Sequence, residues 1–270
     1  LITVDPPTRL PGVDHLSVSS LNLLAKCPER WRRRYLEREY EPPNGKMILG
    51  SSVGAAEGRS YSQVIETGEL FTLEQVQDEF SAEWEDRIVR EEIDWGSEKP
   101  GALKDSGVAV LDQYHTVIAP TIIPVSVERE FRFAWPGLDW HFTGFFDLEE
   151  ASDDISDLKV RGRRLALEDA DVDLQPAAYM FARRAEGSPA RNFNFHTMVR
   201  PPSRSPYAEI VTTGRTNRQL DAFGDRVLLA ASELAWRAEN DVWSGAVPGS
   251  WWCSERFCGY WNSCPFGGLR

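Results

Sequence analysis

Two carboxylates and a lysine stand close together in the middle of the chain. Asp147 closes the stretch Gly144-Phe145-Phe146-Asp147, and Asp157-Leu158-Lys159 follows across a short polar gap. Paired carboxylates can hold a hard cation such as Mg²⁺ or Mn²⁺. Such an ion activates water and neutralises charge on a scissile phosphate, and an ammonium beside it orients the water or meets developing charge. An Asp-x-Lys tripeptide alone is weak, because chance supplies many, and an exposed hairpin with scattered charges would look similar. Three details favour chemistry. The neighbours Phe145, Phe146, Leu148, Ile155 and Leu158 are apolar, Lys159 is one of only five lysines against 25 arginines, and the context reads as strand, turn, strand.

That chemistry requires Asp147 and Asp157 on paired strands, and the patterning predicts this. Val125, Val127, Arg129, Phe131 and Phe133 alternate with more polar residues, a strand period. Pro136-Gly137 marks a turn, Leu138 to Leu148 a second strand, Ser152-Asp153-Asp154 a turn, and Ile155 to Val160 a third strand. Asp157 and Lys159, two apart on a strand, would share a face. Before these strands the period is helical: Ser17 to Tyr40 in two pieces broken at Pro28, Met47 to Arg59, Leu73 to Ile93 and Asp105 to Ile118. After them come a helix from Leu174 to Ala185, strands at Asn192 to Val199 and Ala208 to Thr213, and a long amphipathic helix from Asn217 to Trp243. The expectation is an α/β core in one domain over residues 1–270, with a helical insertion near 60–118.

The series Gly144-x-x-Asp147, Asp157-x-Lys159 and Gln175-x-x-x-Tyr179 resembles the motifs of RecB-like nucleases in the PD-(D/E)XK superfamily, over roughly Leu16 to Pro265. The resemblance implies a restriction-endonuclease-like core, a mixed sheet flanked by helices. It also implies metal binding by Asp147 and Asp157, assistance to the attacking water by Lys159, and positioning by Gln175 and Tyr179. Positions i and i+4 share a helix face, so Gln175 and Tyr179 can both reach one site. Glu128 occupies a place that is often acidic in these proteins.

All four cysteines lie at the extremes of the chain: Cys27, then Cys253, Cys258 and Cys264. Disulfides are rare in the cytoplasm, and the clustering of three near one end favours one metal site over buried small hydrophobes. Four thiolates suit zinc and an iron–sulfur cluster equally, so ligand count does not decide. The resemblance points to the cluster. The iron–sulfur subgroup of these nucleases, including CRISPR-associated exonucleases and the AddB nuclease domain, places one cysteine before the core and three after it on a 4Fe–4S cluster. Here that implies a tail, residues 251–270, stapled to Cys27. The Cys253 to Cys258 spacing is wider than the subgroup's Cys-x-x-Cys.

Family members carry a His four positions after a Gly on the helix before the insertion, as a further metal ligand. In Gly50-Ser51-Ser52-Val53-Gly54 that position is Gly54. Glu57, one turn along, is the expected substitute ligand. His15, His115, His141 and His196 do not fit the place and read as structural.

The net charge of −12 argues against a nucleic-acid partner, but its distribution argues back. Residues 60–100 hold twelve acidic side chains against three basic ones, whereas 159–218 hold eleven basic against six acidic. Screening confines charge effects to about 10 Å, so an acidic chain can still present a basic channel. With no apolar run of membrane-spanning length and no basic-then-apolar leader pattern, the expected setting is cytoplasmic. The expected activity is a metal-dependent exonuclease on single-stranded DNA or DNA ends, with partners in repair, recombination, phage or CRISPR systems. A DNA-end-binding module of little activity is the runner-up, and a zinc-stabilised interaction domain a third reading.

Overall fold

The computed structural model describes residues 7–267. Chain contacts divide it into two compact units, the first from Leu1–Glu41, Phe131–Gly144 and Asn217–Arg270, the second from Pro42–Glu130 and Phe145–Thr216.

In the second unit, three long helices cover one face of a sheet. They are α3 (Gly45–Thr67), α4 (Leu73–Arg90) and α5 (Pro100–Val117); the chain's first two helices and first strand belong to the other unit. Each begins where its sequence permits. The Asn44 side chain accepts from the Met47 N–H, Thr72 and Gln75 form a reciprocal capping box, and Pro100 sits in the first turn of α5, where a missing N–H costs nothing. Gly68, at φ 83°, ends α3 in the left-handed region. The sequence pattern placed α3 at Met47 to Arg59; it runs two turns further because Tyr61 is fully buried in the core. Ile48, Val53, Phe80, Trp84, Val110 and Tyr114 form that core together with Leu148 and Met198 from the sheet. Gly107 is required at the crossing of these helices, since a Cβ there would lie 2.8 Å from Leu49 Cδ1.

The strands of this unit are the start of β2 (Pro124–Ala134), the end of β3 (His141–Glu150), β4 (Ile155–Arg161), β5 (Phe193–Val199) and β6 (Tyr207–Thr213). β3 pairs antiparallel with β4, β4 parallel with β5, and β5 antiparallel with β6, so the sheet is mixed. α6 (Leu167–Val172) and α7 (Leu174–Ala185) follow β4. The sequence pattern missed α6, a helix of under two turns that no side chain caps. Leu158 and Val160 pack with the core of α3, α4 and α5, so by alternation Asp157 and Lys159 face the other way, where α7 lies.

A polar chain runs through the buried interior. Tyr61 and Tyr114 share a 2.7 Å hydroxyl contact, and Tyr114 Oη lies 2.8 Å from His196 Nδ1. Buried hydroxyls and imidazoles need such partners, which fits the structural role expected for His196.

The first unit holds β1 (His15–Leu16), α1 (Val18–Lys26), α2 (Pro28–Tyr35) and α8 (Asn217–Asn240). β1, absent from the sequence pattern because two residues carry no period, pairs parallel with His141 and Phe142. Cys27 serves both helices it joins. Its N–H closes α1 on the Leu23 carbonyl, and its sulfur accepts the Arg30 N–H at 3.4 Å to cap α2. Trp31 is fully buried and stacks on Trp243 at 6.1 Å.

Candidate active site

Asp147 reaches Asp157 because β3 and β4 are joined by a tight turn. Leu148 stands opposite Ser156 and Glu149 opposite Ile155, a register whose continuation brings Asp147 to Asp157, and the two side chains interact. Asp153 takes φ 64° in the turn, a conformation that Asp tolerates through local hydrogen bonding. Asp157 is 1% exposed, yet its carboxylate meets Lys159 Nζ at 2.8 Å and Gln175 Nε2 at 2.6 Å. Asp157 Oδ2 accepts no hydrogen bond of good geometry, although the ammonium lies 2.7 Å from it. Asp147 Oδ2 accepts the Leu158 N–H at 3.4 Å.

Burying this cluster perturbs its proton affinities. The Asp147 carboxyl is pushed up to about 8, first by burial and then by the negative charge of Asp157, against the opposing pull of Lys159. Glu128 is also raised, by burial and by Asp157. Its backbone sits at φ 49°, a local break in β2. Burial opposes the Lys159 ammonium, but Asp157 and Asp147 more than reverse this and hold it protonated above its ordinary range.

α7 supplies the remaining residues. Asp173 caps it by accepting the Gln175 N–H at 2.8 Å, and Pro176 fits the first turn, where no intrahelical N–H bond is due. Gln175 and Tyr179 fall on one face, and the Tyr179 hydroxyl interacts with Gln175. The Tyr179 ring packs edge-on against Phe146 at 5.4 Å and Phe193 at 5.7 Å. The helix is anchored by Glu149, which takes Arg183 of α7 at 2.6 Å and Arg129 of β2 on the same carboxylate.

Five of the expected site residues, Asp147, Asp157, Lys159, Gln175 and Tyr179, thus meet in one place, and Glu128 joins them electrostatically. Glu57 does not. It is fully buried on α3, its oxygens lie 3.2 and 3.3 Å from His115 Nδ1, and His115 Nε2 reaches the Phe71 carbonyl at 2.8 Å. The bracing trio Arg129, Glu149 and Arg183 went unread in the sequence, because nothing local marks partners twenty and thirty-four residues apart. Asp173 was legible as an Asp just before a helix.

A family model, the PD-(D/E)XK nuclease superfamily, matches residues 15–265. The chain belongs to this superfamily. Among solved structures, a protein from Eubacterium rectale named "Putative exonuclease" is similar over 89% of this chain and 87% of its own, at 14% identity and a TM-score of 0.61. That likeness concerns the fold. A second structure, SSO0001, aligns over 96% of this chain and 90% of its own at 12% identity, but its TM-score of 0.41 carries no argument. No curated protein matches in sequence.

PD-(D/E)XK nucleases commonly use a divalent metal such as Mg²⁺, and the oxygen donors here suit a hard cation. With Asp147 raised to about 8 by burial and by the charge of Asp157, the pair has an unmet demand for positive charge. Among the described residues, no group of three or more His, Cys, Asp or Glu side chains is arranged to hold a metal ion. Two aspartates would therefore need water or phosphate oxygens to complete a shell.

The cysteines lie in the first unit. Cys27, Cys253, Cys258 and Cys264 line one cavity together with Arg30, Arg33 and Tyr260, and none forms a disulfide. Burial raises the Cys27 thiol, and the other three cysteines raise it further. Among the described residues no helix is long and apolar enough to cross a membrane.

Proposed function

We propose that the protein is a metal-dependent deoxyribonuclease that trims single-stranded DNA or DNA ends. The observation that carries this reading is the buried Asp147–Asp157 pair with Lys159 on Asp157, in a chain of a nuclease superfamily. Asp147 and Asp157 would hold Mg²⁺ or Mn²⁺, which supplies a Lewis acid for the scissile phosphate and lowers the pKa of an attacking water. Lys159 keeps its proton and is 38% exposed, whereas Asp157 is 1% exposed, so the ammonium is the group that reaches an incoming phosphate. It meets the negative charge that builds as water adds and the ester bond breaks. Gln175 fixes Asp157 through its amide, and Tyr179 holds Gln175 in place. We read residues 1–270 as one nuclease module, with 60–118 as its helical insertion.

The test is cleavage of end-labelled single-stranded DNA with Mn²⁺, with Mg²⁺ and with chelator. Asp147→Ala, Asp157→Ala or Lys159→Ala should abolish cleavage while near-UV circular dichroism stays native. Full activity in Asp157→Ala refutes the site. Gly54 favours a second reading, a DNA-end-binding module of little activity, because the family's extra ligand is absent there. Binding without cleavage under every metal condition would select it.

We also propose, on the resemblance to the iron–sulfur subgroup, a 4Fe–4S cluster joining residues 251–270 to Cys27. The four cysteines line one cavity, but among the described residues their thiols are not grouped closely enough to hold a metal, so the proposal requires them to draw together. The cluster would close a loop of more than 220 residues, the kind of cross-link that removes most entropy from the unfolded chain. Anaerobically prepared protein should contain iron and sulfide; stoichiometric zinc without iron sinks the proposal.

A further inference from the structure

A second basic surface lies in the first unit, apart from every residue assigned above. A cleft of about 890 Å³ opens beside α2, lined by Arg9, Arg34, Arg38, Tyr35 and Tyr40, with Asp14, His15 and Asp139 at its edges. The arginines of α2 divide sharply. Arg30 pairs with Glu41 at 2.8 Å, Arg32 with Glu29 at 2.8 Å, and Arg33 with Glu29 and Glu39 at 3.5 and 3.6 Å. Arg34 forms no ion pair among the described residues; its guanidinium lies 5.2 Å over the Tyr40 ring. Arg9 and Arg38 form no ion pair among the described residues either. Two carboxylates face these guanidiniums among the described lining residues: Asp139, and Asp14, which is held by His15 at 2.8 Å and Arg132 at 3.5 Å.

The aromatic rings are displayed rather than buried. Tyr40 is 68% exposed. Tyr35 is half-buried and braced by Trp31 at 5.2 Å, which is itself stacked on Trp243. Guanidiniums with no ion pair among the described residues, beside one exposed ring and one braced ring, are what a single nucleic-acid strand needs: the cations track the backbone and the rings take bases. Arg38 adopts φ 59°, where glycine would sit without strain.

We propose that this cleft is a sequence-tolerant binding site for single-stranded nucleic acid, with Arg9, Arg34 and Arg38 on successive phosphates and bases stacked on Tyr40 and Tyr35. The site deepens the nuclease reading, on which it rests, by adding a strand-holding surface that takes no part in the chemistry. It binds in the presence of chelator.

The test uses the full chain in EDTA and a fluorescent oligothymidylate about 15 nucleotides long, a span within single-strand site sizes. Anisotropy is titrated against salt. Tyr40→Ala should weaken binding at least about fivefold, and Tyr40→Phe should not, because stacking needs only the ring. A backbone of the same length without bases should be insensitive to Tyr40→Ala. Arg9→Gln, Arg34→Gln and Arg38→Gly together should lower the slope of log affinity against log salt by about 2, at ~0.7 per phosphate contact. Arg38→Gly suits the local backbone, so lost binding in that single variant is not a folding defect. If wild-type protein cleaves DNA with Mn²⁺ and these variants bind as tightly as it does, the cleft proposal alone falls. Neither cleavage nor binding would remove both readings. Equal displacement by poly-glutamate of matched charge also overturns the proposal, since it would mean general anion binding.

Discussion

Metal binding at the paired aspartates should expel a proton, and the amount follows from the site. The Asp147 carboxyl is raised to about 8, first by burial and then by the charge of Asp157, so it holds a proton at neutral pH. A cation takes that proton's place. At pH 7 roughly 0.9 proton should leave per ion bound, and at pH 8 about half a proton. Apparent affinity should then fall by between one and two orders of magnitude from pH 8.5 to pH 6, because the ion must displace that proton. Calorimetry of Mn²⁺ binding in buffers of different ionisation enthalpy, under anaerobic conditions, reads the proton count directly. Asp147→Asn should abolish the release along with tight binding. Glu128→Gln separates any share carried by Glu128, whose affinity for a proton is also raised. Metal binding with no proton release at pH 7, or with a dissociation constant flat from pH 6 to pH 8.5, would show that the two carboxylates are not the ligands.

Gly54→His should tighten Mn²⁺ binding and raise the rate, since a Cβ at Gly54 meets no atom within 4 Å; unchanged affinity and rate by titration and cleavage assay would mean that α3 does not present position 54 to the metal. Glu57→Gln should lower the thermal midpoint yet leave metal affinity intact, because Glu57 is spent on His115; loss of metal affinity would restore it as a ligand. His196 is fully enclosed and burial lowers its pKa to about 4. Its contribution to stability is therefore complete above its unfolded value of about 6.5 and is lost as pH falls towards 4, by up to ~3 kcal/mol; denaturant melts of wild type and His196→Asn from pH 7 to pH 4 should converge in slope if this is wrong. Gly107→Ala should cost about 1–3 kcal/mol through overpacking against Phe80 and Leu49, and a raised thermal midpoint would refute the close crossing.

The grouping of the expected site residues is legible because their spacing is local. Asp157 and Lys159 are set by strand alternation, Gln175 and Tyr179 by one helical turn, and Asp147 by a short hairpin, all of which periodicity exposes. The contact of Glu57 with His115, 58 residues away, is not legible in the sequence, because no local pattern announces that partnership. The same reason hid the grip of Glu149 on Arg129 and Arg183. Helix α3 was cut short at Arg59 because Ser60, Tyr61 and Ser62 break the apolar period; two of them, Ser60 and Tyr61, are nonetheless buried. The contrast between Arg34 and its paired neighbours Arg30, Arg32 and Arg33 was likewise invisible, since on a helix of eight residues all four look alike in sequence.

Leu158 stands between the two residues expected to do the chemistry and points into the opposite layer, among the side chains of α3, α4 and α5. The motif's unspecified middle letter thus ties the site to that layer. Anyone who repacks that layer to make a hardier enzyme will be moving Asp157 and Lys159 at the same time, through one shared backbone. Changes at the fully buried Tyr61 or Trp84 should show first in the melting curve, whereas changes at the partly buried Leu158 should cost turnover with a smaller loss of stability.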